Sequence, residues 1–161
     1  MALSKVTYKL ELPLSDLDPD QRDSAKEEIG TYLVEAILEK VGSAASPVSG
    51  YGKFKPLSPS YKEYKKKYSG STKANLELKG DMLDALTFKD KGKIVEVGIW
   101  GKEAAKADGH CNFSGDSELP ERRFIPNSDD DEKFKPDIRK KIAEILAEKS
   151  DKSKSYFLSK L

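Results

Sequence analysis

The chain holds a single cysteine, a single histidine, one tryptophan and two methionines among 161 residues. One cysteine cannot build a disulfide framework, and one histidine excludes the usual His-rich zinc centres. No run approaches the roughly 20 apolar residues that a membrane-spanning helix needs. The N-terminal MALSKVTYKLELPL has neither the continuous apolar stretch nor the cleavage site of a signal peptide. No membrane partner is therefore expected. An excess of one charge is lacking too, with 29 Lys+Arg against 28 Asp+Glu and a net charge of +1. That disfavours a globally basic nucleic-acid binder. The glycines follow neither dinucleotide-binding nor P-loop spacing. No cofactor and no metal is expected.

What is present is charge, at 35% of residues, with a mean hydropathy of -0.67. The length suits one domain, here placed at residues 1–148 with a C-terminal tail at 149–161. Near-neutrality conceals four blocks of alternating sign. Residues 15–41 carry eight acidic and three basic groups, and residues 53–73 carry seven lysines and one glutamate. Residues 116–132 carry seven acidic groups against Arg122 and Arg123, and residues 133–154 carry eight basic and four acidic. Each block read alone is a solvated face. Four in alternation predict complementary patches that meet on successive copies, a head-to-tail arrangement that closes into a ring when the rotation permits.

Apolar Val6, Tyr8, Leu10, Leu12 and Leu14 alternate with mostly polar residues up to Pro13, the period of a half-buried strand. Asp18-Pro19 is an N-cap followed by proline at the first helical position. Ala25, Ile29, Leu33, Ala36, Ile37 and Val41 keep helical spacing, so a helix is expected over 19–41. Residues 42–57 read as a long loop, functional or mobile. Ser58-Pro59 opens a short helix closed by Gly70. A linker follows from Ser71 to Asn75, and Leu78, Met82, Leu83 and Leu86 fit a second short helix. Residues 87–89 and 94–100 form a hairpin about the turn 90–93. A short turn or helix at 103–107, a polar loop at 110–119 and a short strand at 123–125 come next. Pro136 opens a last helix with Ile138, Ile142, Ile145 and Leu146 on one face. The order predicts an α+β fold with a mainly antiparallel sheet and the long N-terminal and C-terminal helices packed on one face.

Few residues suggest chemistry. His110 stands beside Cys111, but neighbours in an extended segment point apart and are poorly placed as a nucleophile–base pair. They read as loop anchors, and no enzyme is expected. Tyr61, Tyr64 and Tyr68 recur at helical spacing among Lys62, Lys65, Lys66 and Lys67. They fit tyrosines on the core with lysines outward, a protein interface, or a small nucleic-acid-binding module. The string Arg122-Arg123-Phe124 sets two guanidiniums beside an apolar segment, suited to carboxylates across an interface. Tyr156 and Phe157 are aromatics spent on a polar tail, as expected of a segment that docks on a neighbour.

The stretch 54–58 with Tyr61 and Lys62, then Leu78-Lys79-Gly80-Asp81-Met82-Leu83, Val95-Glu96-Val97-Gly98, Ala107 to His110, and Leu119-Pro120-Glu121-Arg122-Arg123-Phe124-Ile125-Pro126 follow one another in a familiar order. Across residues 20–148 this order resembles the phage virion morphogenesis proteins, the tail-completion and neck proteins of Mu-like and related tailed phages. Lys79, Glu121, Arg123 and Cys111-Asn112-Phe113 depart from the family pattern. The resemblance implies a non-enzymatic virion protein that forms a ring of six or twelve copies at the head–tail junction, or else a tail terminator ring. It implies partners in the portal or adaptor and in the tail tube or tail terminator proteins, genome DNA passing through the lumen without specific binding, assembly in the host bacterial cytoplasm, and a final place in the virion neck or tail. Loops 42–57 and 109–119 are then candidates for contacts with adjacent rings.

Overall fold

A computed structural model describes residues 3–69, 73–76 and 80–161. Its first strand, β1 (Lys5–Glu11), is the alternating segment. Helix α1 (Pro19–Gly42) follows, entered through a capping box in which the Gln21 amide donates to Asp18 Oδ1 at 2.9 Å and the Asp18 amide to Gln21 Oε1 at 3.0 Å. Helices α2 (Pro59–Ser69) and α3 (Asp81–Asp84) precede the hairpin of β2 (Thr87–Lys91) and β3 (Ile94–Trp100). Gly92 takes the left-handed φ of +72° that this tight turn needs. Helix α4 (Ala104–Cys111), the long helix α5 (Pro136–Glu148) and the short α6 (Lys154–Leu158) complete the order. Gly70, the Ser71 end of the linker, Leu78 and Lys79 lie outside the described residues.

The sheet has the order β1-β3-β2 and is antiparallel throughout. Register places Tyr8 and Phe88 on either side of Val97, and Val6 beside Ile99, on the face that the helices cover. Helix α1 lies against that face through Gly30, where an added Cβ would sit 2.2 Å from the Phe88 ring. A mid-helix glycine costs about 1 kcal/mol relative to alanine. The close approach of helix to sheet offsets it by burying Ile29, Leu33 and Ile37 completely. Helix α5 seals the layer with Ile138, Ile142, Ile145 and Leu146. The fold is α+β with its helices on one side of the sheet, as the sequence order predicts.

Four expectations are corrected. Helix α4 runs on through His110 and Cys111 and stops at Asn112, which adopts φ +58° and caps it. Residues 123–125 are buried but join no sheet; Ser46 Oγ donates to the Arg123 carbonyl at 2.5 Å, where a strand partner would bond. The loop after α1 is sewn down rather than loose. The Ser49 amide donates to Lys133 O at 2.8 Å and the Lys135 amide to Pro47 O at 2.9 Å, with Val48 fully buried between them. The tail folds back on its own chain, with Phe157 buried in the core and the Tyr156 hydroxyl on Asp16 at 2.7 Å.

Candidate functional site

Side chains alternate across the sheet, so the face opposite the helices carries Lys5, Thr7, Lys9 and Glu11 from β1 and Thr87, Lys89 and Lys91 from β2. The central strand contributes Ile94, Glu96, Gly98 and Trp100 to the same face. Gly98 holds the strands flush, since a Cβ there would meet the Val6 carbonyl oxygen at 2.2 Å. Glu96 is fully buried among its neighbours. Lys5 Nζ lies 3.0 Å and Lys91 Nζ 2.6 Å from its carboxylate, and the Thr7 hydroxyl donates at 2.5 Å. Burial pushes the carboxyl upward, but the bonds from Lys91, Thr7 and Lys5 together outweigh it and hold the pKa at about 2. Lys89 Nζ rests 4.4 Å from the Trp100 ring. Four exposed lysines against two carboxylates leave this bare face positive.

The outward side of α1, beyond the opposite face of the sheet, is negative. Asp20, Asp23, Glu27, Glu28, Glu35 and Glu39 are all exposed. Of the basic residues within the run, Lys26 turns inward and pairs with Asp90 at 2.9 Å, while the exposed Arg22 donates from Nε to the Leu14 and Leu17 carbonyls. The hydrogen bond to Asp90 raises the Lys26 pKa despite burial. Opposite sides of one small subunit thus carry opposite charge. Linear charge counting finds the acidic side, because one helix makes it. It misses the basic side, which strands distant in sequence assemble. The alternation at residues 5–11 was the available signal.

The residues singled out in the sequence fall elsewhere. Tyr61, Tyr64 and Tyr68 are 41%, 46% and 58% exposed and lean on one another, with ring centroids 5.9 and 4.7 Å apart. Lys66 and Lys67 are exposed and Lys62 is partly so. Among the described side chains of α2, Lys65 is the buried one, its ammonium held by the Lys73 carbonyl and the Asn75 side chain. The expected helix orientation is therefore inverted: tyrosines out, one lysine in. The short 73–76 segment supplies the oxygens that hold this cation.

Arg123 is not offered to a neighbour. Its guanidinium reaches Glu132 at 2.6 Å, Glu121 at 2.7 Å and the Cys111 carbonyl at 2.8 Å, between the rings of Tyr51 and Phe113. The Tyr51 hydroxyl donates to Glu132 at 2.7 Å, and burial with that bond raises its pKa to about 12. Phe124 and Phe157 are wholly buried, so neither presents a surface for contact. Tyr156 is half-buried at the α6 surface.

His110 and Cys111 do not form a reactive pair. Consecutive positions on a helix point about 100° apart. Cys111 is fully buried, and burial pushes its thiol up to about 12. His110 faces a groove of about 970 Å³ between residues 55–58, α2, α4 and residues 119–122. Among the described residues no cluster of three metal-ligating side chains occurs. Among them, too, no helix is long and apolar enough to cross a membrane. Compared with known protein families, with curated proteins and with solved structures, the chain matches none.

Proposed function

We propose that this chain is a structural subunit that associates with copies of itself, head to tail, into a closed ring. The observation that carries this reading is the opposition of charge across the subunit, basic on the bare sheet face and acidic along the outward side of α1. A contact between two unlike surfaces of identical subunits is heterologous, and such contacts propagate into rings or filaments. Complementary charge sets the orientation of the contact and rejects like surfaces. The order of sequence strings from Phe54 to Pro126 supports a specific setting: the neck of a tailed-phage virion, where the ring completes the tail and joins it to the head. Portal or adaptor and tail-tube proteins are then its partners above and below. Genome DNA traverses its lumen.

Sedimentation velocity across a concentration and salt series tests the first part. Self-association that weakens as salt rises is expected, since exposed charges are screened within about 10 Å at 0.1 M. Negative-stain images should show closed rings. A monomer at every concentration and salt overturns the reading. Immunogold labelling of virions carrying the chain should mark the head–tail joint, and gold confined to capsid or tail shaft rejects the neck.

A further inference from the structure

Arg122 and Arg123 are adjacent, equally buried, and treated very differently by the fold. Arg123 hydrogen-bonds two carboxylates, whereas among the described residues Arg122 donates from Nε and Nη2 only to the Lys55 carbonyl, at 3.2 and 2.9 Å. Among the described residues no carboxylate pairs with it. Burying a cation without counter-charge is unfavourable unless something else supplies the charge. Arg122 lines the groove between α2 and α4, and so does His110, whose buried Nδ1 has no hydrogen-bond partner among the described residues. Two polar groups that lack anionic partners therefore converge on one apolar cavity. Asp81 and Lys106, at its edge, are both exposed to water.

We propose that this groove binds an extended peptide segment of a partner protein, which lowers a carboxylate side chain onto Arg122 and seats apolar neighbours against Leu57, Met82 and Leu119. The depth of the cation argues for a projecting side chain: Arg122 is 6% exposed, while Tyr61 and Leu119 of the same groove are 41% and 52% exposed. Tyr61 leads on to Tyr64 and Tyr68, so the apolar surface continues along α2 past the end of the groove. A small molecule confined to the cavity leaves that stripe bare, whereas a chain segment running along α2 covers it. Nucleic acid fits less well, because the tyrosine rings lean on each other instead of standing apart as platforms for bases. The groove shares no residue with the two charged sides, so the inference is independent of ring assembly.

The test uses the full chain and two fluorescein-labelled peptides, acetylated and amidated, of sequence Leu-Leu-Glu-Leu and Leu-Leu-Gln-Leu. A labelled thymidine oligonucleotide of similar length is the third probe. Fluorescence anisotropy should show the glutamate peptide binding at least about tenfold more tightly than the glutamine peptide, as befits a charge-assisted bond to a buried guanidinium. Arg122→Gln should erase the difference. Should that variant fail to fold, Ala105→Trp, at an exposed position of the groove wall, should weaken the glutamate peptide without changing the unfolding temperature. Equal binding of the two peptides, binding of neither, or preference for the oligonucleotide overturns the proposal.

Discussion

His110 shows how one side chain can record its surroundings. Burial lowers its pKa to about 4, and the neighbouring Arg122 guanidinium adds to the effect. Between that value and the ordinary 6.5, the unfolded chain takes up a proton that the folded chain refuses. Stability is therefore complete above pH 6.5 and is lost as pH falls toward 4, by about 3 kcal/mol for this group. Urea unfolding from pH 7 to pH 4 should fall less steeply for His110→Gln than for the parent, by about that amount. Glu96 acts in a lower window, losing its contribution as pH falls from about 4.5 to 2. Arg123 supports the fold through ion pairs that the chain keeps to itself. Arg123→Met should destabilise by about 3 kcal/mol, since it strands Glu132 near the core without its cation. Chemical denaturation measures that loss directly.

Within single elements, the positions without a side chain decide how closely the layers meet. Gly30 lets α1 settle on Phe88, and Gly98 lets β1 and β3 lie flush beside a buried carboxylate. Gly98→Ala drives a methyl into the Val6 carbonyl and should cost about 3 kcal/mol, as overpacking does. The loss should appear as a lower unfolding temperature, with amide exchange quickened first in β1. Elements with strong local signals were legible: the Asp18-Pro19 start of α1, the period-two alternation of β1, the Gly92 turn and the apolar face of α5. The end of α4 was not, because its last turn carries His110 and Cys111 and closes on Asn112 instead of glycine. Nor was the fate of residues 123–125, whose composition suits a strand. Whether a strand pairs depends on an edge being free, and here the Ser46 hydroxyl takes the Arg123 carbonyl while the His110 carbonyl takes the Arg122 amide just before it.

For the whole molecule, the two charged sides should behave as one complementary system. Lys9→Glu and Lys89→Glu together reverse the bare sheet face and leave Lys5 and Lys91 on the buried Glu96. Self-association should fall at least tenfold. The set Glu27→Lys, Glu35→Lys and Glu39→Lys on α1 should do the same. Mixing the two variants pairs opposite charges at every contact between unlike copies and should recover assembly of alternating copies. Joining the two sets in one chain restores opposite signs and should recover assembly, read by sedimentation at low salt. Loss without recovery indicates that the interface lies elsewhere. The lysines of α2 are a poorer target, because reversing Lys65 would place a carboxylate among the carbonyl oxygens that now hold its ammonium.

The sequence alone determined the class of fold, the long amphipathic helix, the strand-and-hairpin order and the acidic side of α1. Each is written in neighbours three, four or two residues apart, and local periodicity needs no knowledge of the rest of the chain. Only the tertiary structure decided which way α2 faces, that the C-terminal aromatics serve the subunit itself, that Arg123 is satisfied while Arg122 finds no carboxylate among the described residues, and that lysines from β1 and β2 gather on one bare face. Those outcomes depend on which distant segment reaches a given side chain first. Charge and burial are properties of a place in space, and the sheet register and helix packing define that place.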